Sequence, residues 1–326
     1  MRKSVLNIII IVSIITITIV TVLSNKSWLL LTNNDPSKFT IESKVLSIAL
    51  IKPTFTAAAY HSSFYKFYFV HSTIPLHARK NITSDLNLLS SPVSNLLTGS
   101  SSAYMIDYLT AHMRTSLPKS NTHVLTDEDV DKGRIFLGNG NNKYDVLVLG
   151  HQEYVTQQEY DNLKQFVSNG GTMILMDGNV FYAEVKYDRN THTITLLKGH
   201  GWAFNGKSAW KSVRERWANE TSQWVGSNFY CFSCNVTFGN NPFNYRHHEE
   251  QYITNPNDLI LLDYKAMIPK KQLITADPVI ATYELNYQKG KVISLSIYSD
   301  DIIANSKFKK FLSTLLKHVE MTAVIY

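Results

Sequence analysis

The chain has 326 residues, 44% hydrophobic, 12% aromatic and 18% charged, with 32 Lys+Arg against 26 Asp+Glu for a formal charge of +6. That length supports one large or two ordinary domains with a real core, and 14 Gly and 9 Pro are not the composition of a disordered, collagen-like or coiled-coil chain. No Lys/Arg run exceeds two residues, which leaves no basic stripe for nucleic acid, and two cysteines exclude a multi-disulfide scaffold.

Residues 5–23 (VLNIIIIVSIITITIVTVL) carry no charge and are just long enough, as a helix, to span a hydrocarbon core. Arg2 and Lys3 precede them and a single lysine, Lys26, follows, so the positive-inside rule puts the N-terminus in the cytoplasm and the rest outside. The expectation is a transmembrane anchor over 1–23 and a single-pass membrane protein with its C-terminal domain outside the cytoplasm. A signal peptide cleaved after Ser24, giving a secreted protein, is the competing reading. The apolar run exceeds the roughly 7–15 residues of a signal core, which favours the anchor. Sequons at Asn25, Asn81, Asn219 and Asn235 suit an exported, glycosylated surface. Residues 24–42, with an Asn33-Asn34-Asp35-Pro36 turn, read as a stalk, and the folded domain is expected over 43–320.

Residues 44–51 (KVLSIALI) read as a buried strand and residues 64–70 (FYKFYFV) as a second, aromatic one. A Ser/Asn/Leu-rich connection over 72–102 ends in hydroxyls that can cap a helix over 103–117, with Tyr104, Tyr108 and Ala111 on one face. The clearest stretch follows. Residues 122–125 are a short strand, 127–131 a loop or helical turn, and 144–149 (YDVLVL) an apolar strand of the parallel, doubly covered kind. Thr156 caps a helix with the stripe Tyr160, Leu163, Phe166 and Val167; Gly170-Gly171 stops it, and 172–176 (TMILM) is the next buried strand. A hairpin over 279–298 and an amphipathic helix over 305–319, with Phe308, Phe311, Leu312, Leu315, Leu316 and Val319 on one face, close the domain. Residues 180–275, which hold Trp202, Trp210, Trp217 and Trp224, show no β-α period and read as an insertion over the sheet.

In an open α/β sheet, ligands bind beyond the carboxyl ends of the strands. Gly150-His151-Gln152-Glu153-Tyr154-Val155-Thr156 stands there, so His151 and Glu153 are candidate catalytic groups. The bland alternative is that Glu153 and Thr156 cap the helix and His151 bonds backbone. A second candidate, residues 245–252 (YRHHEEQY), packs imidazole, carboxylate and phenol together, types that ligate a hard or borderline metal, or form a solvated turn. Cys231 and Cys234 followed by His247 echo a zinc finger. The adjacent His247 and His248 break its spacing, so a local Cys231–Cys234 disulfide or an open pair is the reading favoured outside the cytoplasm. Common nucleophile-elbow, P-loop and dinucleotide motifs are absent from the sequence.

Residues 144–182 (YDVLVLGHQEYVTQQEYDNLKQFVSNGGTMILMDGNVFY) resemble the core motif of the C-terminal domain of the large (beta) chain of N,N-dimethylformamidase, a relative of the class I glutamine amidotransferase-like fold. Residues 123–130 (HVLTDEDV) and the C-terminal hairpin extend the resemblance over roughly 100–320. It implies a flavodoxin-like α/β fold, a mostly parallel sheet with the Trp-rich insertion. It also implies one iron ion held by two tyrosines and a glutamate, the metal polarising an amide carbonyl or activating water. Tyr154 matches one tyrosine and Tyr104 is a candidate for the other. The implied His-x-Glu motif is met by His247-x-Glu249 and His248-x-Glu250, with His247 and His248 as catalytic candidates. No nucleophilic cysteine follows the 144–149 strand, so glutamine amidotransferase chemistry is not implied. The expected function is a metal-dependent hydrolase of small amides; the alternative is a catalytically silent surface module binding a glycan, envelope component or protein.

Overall fold

The computed structural model describes residues 45–61, 63–71, 73–79, 82, 85–94, 108–112, 115, 120–177, 179–199, 201–204, 209–211, 216–230, 250–253, 259–262, 269–271, 283–295 and 306–323. The proposed anchor and stalk lie outside them. Among the described residues no helix is long and apolar enough to cross a membrane.

In chain order the elements are β1 (Ser47–Lys52), α1 (Thr54–His61), α2 (Ser63–His71), α3 (Leu76–Arg79), a 3-10 turn (Leu86–Leu89), β2 (Ser90–Pro92), β3 (Asn121–Thr126), α4 (Asp127–Asp131), β4 (Val146–Leu149), β5 (Tyr154–Val155), α5 (Gln157–Ser168) and β6 (Thr172–Leu175). The second half adds β7 (Ala183–Asp188), β8 (Thr193–Gly199), β9 (Trp202–Phe204), β10 (Ala209–Lys211), α6 (Ala218–Trp224), β11 (Ser227–Tyr230), β12 (Glu250–Ile253), β13 (Leu259–Leu262), β14 (Pro269–Lys271), β15 (Tyr283–Tyr287), β16 (Gly290–Ser294) and α7 (Ser306–Ala323).

The chain is a mixed α/β protein. Its main sheet runs β14-β13-β15-β16-β6-β4-β1-β3, parallel from β16 to β3 and antiparallel from β14 to β16. Parallel strands covered on both faces must be apolar throughout, and β4 and β6 are buried at every position. Val146, Val148 and Ile174 face Phe311, Leu312, Leu315 and Leu316 of α7. Leu147, Leu149 and Met173 face Tyr160, Leu163, Phe166 and Val167 of α5, the stripe expected from the sequence. A second sheet, β10-β9-β8-β7-β5 with β2 on β8, builds another core with Phe55, Phe64 and Phe67 of α1 and α2.

The aromatic run over residues 64–70 is not the expected strand but part of α2. Phe64, Phe67 and His71 are buried while Lys66, Phe69 and Val70 are exposed, a spacing of three and four that only a helix turns to one side. The β preference of aromatic residues yields to that period, and His71 Nε2 closes the turn 2.9 Å from Asp85.

Residues 180–275 contribute β7 to β14 and α6, with β13 and β14 joining the main sheet. Trp202, Trp217 and Trp224 are core residues. Trp217 stacks on Tyr160 at 4.4 Å between centroids, and Trp224 Nε1 donates to the Tyr160 hydroxyl at 2.8 Å.

The α5–β6 junction is made by glycines. Gly170, at φ +107°, turns out of the helix, and Gly290, opening β16, lies so close that a Cβ would collide with the carbonyl oxygens of Val167 and Gly171. Because those obstacles are backbone and cannot swing away, Gly290→Ala is expected to cost about 1–3 kcal/mol or more in chemical denaturation.

Candidate functional site

Three strand ends meet at one edge of the main sheet. β4 lies between β1 and β6, so the residues after Lys52, Leu149 and Leu175 emerge side by side. After β4 come His151, Gln152 and Glu153, all buried; after β6 comes Asp177, fully buried. After β1 the chain turns at Pro53 into α1, which carries Thr54, Thr56 and, at its far end, Tyr60.

These side chains converge. The Tyr60 hydroxyl donates to Glu153 Oε2. His151 stands between two carboxylates, Nε2 3.5 Å from Glu153 Oε2 and Nδ1 3.4 Å from Asp177 Oδ2. The His151 and Tyr60 rings are 5.4 Å apart. The backbone of the segment is pinned from both sides. The N–H groups of Phe181 and Tyr182 donate to the carbonyls of Gln152 and Glu153 at 2.8 and 2.9 Å, and Tyr154 N–H donates to Thr56 Oγ1 at 3.1 Å. Phe181 takes a positive φ of 58° to make its contact, a conformation that costs a non-glycine residue energy and that the surrounding packing must hold.

Behind this cluster lies a second one. Asp127, fully buried at the start of α4, accepts from Phe55 N–H at 2.7 Å, Thr54 Oγ1 at 3.3 Å and Gln152 Nε2 at 3.3 Å; Gln152 Nε2 also reaches the Ile51 carbonyl at 3.1 Å. Burial pushes the Asp127 carboxyl up to about 7 against the opposing pull of those donors. Glu159, in the first turn of α5 and equally buried, is held well above the ordinary carboxyl range by burial and by the Asp127 charge beside it. Asp131, at the other end of α4, accepts from Thr156 Oγ1 at 2.6 Å and from Arg189 Nη2 at 2.7 Å.

The structure thus brings His151 and Glu153 together. It places Tyr154 beside them in β5, fully buried, its ring edge-on to Tyr60 at 6.3 Å and to Phe64 at 5.7 Å. Of the two capping roles, Thr156 performs its own, accepting from Glu159 N–H at 3.0 Å, whereas the Glu153 carboxylate turns to Tyr60. Tyr104, Cys231, Cys234, His247, His248 and Glu249 lie outside the described residues, and Glu250 is described only as the first residue of β12. Sequence reasoning missed Tyr60 and Asp177. The strand-end rule that selected His151 applies equally to Asp177, directly past β6 (TMILMD). The implied His-x-Glu spacing also occurs a third time, at His151-x-Glu153.

A buried imidazole and two buried carboxylates, with the more exposed Tyr60 phenol against one of them, meet at the carboxyl edge of a parallel sheet and define an α/β protein with a site suited to proton transfer. The chain belongs to the N,N-dimethylformamidase beta subunit-like, C-terminal family, whose family model matches residues 25–260. The match starts well before the segment carrying the sequence resemblance, so it takes in β1 and α1 with Tyr60.

Comparison with curated proteins finds no match. Among solved structures, the chain is similar to a ThuA-like protein from Bacteroides uniformis at 11% identity and a TM-score of 0.40, over 88% of this chain and 95% of that one. It is similar to a catalytic mutant of Gan42B, a GH42 beta-galactosidase from G. stearothermophilus, at 12% identity and a TM-score of 0.38, over 85% of this chain and 30% of that one. It is also similar to the exo-beta-1,4-mannosidase Op5Man5 from Opitutaceae bacterium strain TAV5 at 10% identity and a TM-score of 0.36, over 86% and 35%. The chain spans under a third of the Gan42B length, and similarities at this level assign no property to it.

Thr156 serves two partners, as acceptor for the start of α5 and as donor to Asp131. Thr156→Ala is expected to lower stability by about 1–2 kcal/mol in thermal unfolding, with Thr156→Ser retaining most of it because the hydroxyl is kept.

Proposed function

We propose that this chain is a dimethylformamidase-like hydrolase of small amides, built on a flavodoxin-like, glutamine amidotransferase-like sheet and held at a membrane by residues 5–23 with its domain outside the cytoplasm. The observation that carries the reading is the meeting of Tyr60, His151, Glu153 and Asp177 at the sheet edge where such folds bind ligands. The membrane part rests on the length and flanking charges of the N-terminal segment.

The donor set fits a hard cation. Phenol and carboxylate are oxygen ligands of the kind ferric iron prefers, and the Tyr60 hydroxyl already touches the Glu153 carboxylate. Glu153 and Tyr60 would hold the ion, with Tyr154 as the second tyrosine; Glu249 and Glu250 are the alternatives for the carboxylate. A bound ion supplies Lewis acidity, polarising the amide carbonyl and lowering the pKa of water.

The protein's own residues handle the proton. His151 takes it from the attacking water as the water oxygen bonds to the carbonyl carbon, and the carboxylates of Glu153 and Asp177 on either side stabilise the imidazolium. His151 then returns the proton to the amide nitrogen as the C–N bond breaks, releasing carboxylic acid and amine. Asp177 orients the ring through Nδ1, and burial keeps bulk water from the imidazolium. The surface-module alternative draws no support from Trp202, Trp217 and Trp224, which are buried.

The test uses the purified full-length chain. Elemental analysis is expected to find stoichiometric metal that Glu153→Gln and Tyr60→Phe lose, and amine release from N,N-dimethylformamide is expected to fall about 10²–10⁴-fold in His151→Asn without loss of metal. A chain free of metal and inactive on small amides, or one indifferent to these substitutions, overturns the reading.

A further inference from the structure

α1 reaches the site by two contacts one helical turn apart. Residues four apart share one face of a helix, and on that face Thr56 Oγ1 accepts from Tyr154 N–H at 3.1 Å while the Tyr60 hydroxyl donates to Glu153 Oε2. The two residues so gripped are consecutive. A trans peptide turns its carbonyl and its N–H to opposite sides, and the Glu153 carbonyl is taken from the β7 side by the N–H groups of Tyr182 and Ala183. The N–H of Tyr154 therefore points away from β7, to the outer edge of β5, where a further strand would supply an acceptor. Thr56 supplies it instead, from a position only 1% exposed.

We propose that Thr56 is a positioning residue: by accepting from Tyr154 it sets the register of α1 against the segment after β4, and so places the Tyr60 hydroxyl on Glu153. Eight residues are too few to make a helix that holds its place alone, so α1 sits where its tertiary contacts put it. Tyr60 needs such a guide. It lies at the far end of α1 and is 42% exposed, so burial does not fix its ring. The Tyr154 ring, edge-on at 6.3 Å, gives it a second surface from the very residue that Thr56 holds. The functional weight of this positioning rests on the reading of the site given above.

The other ties of α1 reach elsewhere. Thr54 Oγ1 and Phe55 N–H go to Asp127 on α4 and meet the site segment at one remove, through Gln152. Ser91 Oγ, on β2, donates to the Ala58 carbonyl at 2.8 Å and holds the middle of the helix to the second sheet. Removing the Ser91 tie loosens α1 without removing the guide, which separates positioning from general stability. Valine keeps the shape of threonine without its hydroxyl, so Thr56→Val leaves the buried Tyr154 N–H short of an acceptor. A defect of that kind multiplies the population of the opened segment about 5–150-fold.

Two readouts on the full-length chain test this. Hydrogen exchange of the Tyr154 amide reports the guide, and the ultraviolet difference between each variant and its Tyr60→Phe counterpart reports the Tyr60 phenol, whose absorption moves to longer wavelength when it donates to a carboxylate. Thr56→Val is expected to speed Tyr154 exchange about 5–150-fold and to abolish the Tyr60 shift, and Thr56→Ser, which keeps the hydroxyl, to restore both. Ser91→Ala is expected to lower stability and keep the shift. A Tyr60 shift that survives Thr56→Val, or one that Ser91→Ala removes as fully, overturns the proposal. Should Thr56→Val not fold, the wild type in rising urea decides. Tyr154 protection and the Tyr60 shift lost together, ahead of global unfolding, support it; a shift lost while Tyr154 stays protected, or both lost only with global unfolding, overturns it. Neither readout involves amide hydrolysis or metal, so an inactive chain with both responses intact sinks the amidase reading alone, and a Tyr60 shift indifferent to Thr56 sinks this inference alone.

Discussion

The Asp127 carboxylate joins three segments that are far apart in sequence: the start of α1, the head of α4 and the residues past β4. A charge removed from water is costly unless hydrogen bonds replace its hydration, and here they do. The arrangement also spreads the consequence of any defect. Taking away Gln152, Thr54 or the Phe55 amide leaves a buried acceptor short of a donor, so the segments hold or loosen together. α4 is only five residues long, yet nearly every acidic side chain on it is committed. Thr126 and Asp129 form its capping box, Glu128 pairs with Lys132, Asp129 with Arg134, and Asp131 ties Thr156 to Arg189. Its role is that of a polar fastener between the edge of the main sheet and α5.

The position of the site follows from how two sheets share one chain. The parallel centre of the main sheet sends β1, β4 and β6 out at the same edge, and the segment after β4 enters the second sheet at once as β5, paired with β7. His151, Gln152 and Glu153 are the bridge between the sheets. Both ends of that bridge are held by backbone pairing, and its polar side chains are enclosed by α1 on one side and the strand end at Asp177 on the other. Such an enclosure demands that the buried groups answer one another, which is why the imidazole stands between two carboxylates there, with the more exposed Tyr60 hydroxyl donating to one of them from the rim.

What could be read from the sequence was whatever local punctuation specifies. The β4–α5–β6 unit has an apolar run, a capping threonine, a helical stripe and a double glycine, and each signal agrees with the next. The hairpin of β15 and β16 and the long face of α7 were equally plain, for the same reason. Residues 64–70 misled because phenylalanine and tyrosine prefer strands on average, while the helix is decided by which of them a neighbouring sheet can bury; Phe64 and Phe67 find Trp202 and Ile194, and Phe69 finds solvent. Tyr60 and Asp127 were hidden differently. Their meaning lies in contacts across 93 residues to Glu153 and 72 residues to Phe55, which no periodicity records. The second sheet was illegible as a sheet because its strands are short and irregular in spacing, so neither a period of two nor a β-α alternation accumulates.

The gathering of charge around the site bears on the proposed cation independently of any motif. Glu153 and Asp177 bring two carboxylates to the sheet edge, one on each side of the His151 ring. Gln152, between His151 and Glu153 in sequence, turns its amide the other way, to Asp127 and the Ile51 carbonyl. Carboxylates held close together and away from water repel one another, and a cation set among them would lower that repulsion. The same repulsion would therefore appear as affinity, since an ion that binds only the folded chain stabilises it in proportion to its occupancy. On this view Asp177 serves two ends at once: it holds the imidazole in orientation, and it supplies charge that favours a cation at Glu153 and Tyr60 in the folded protein.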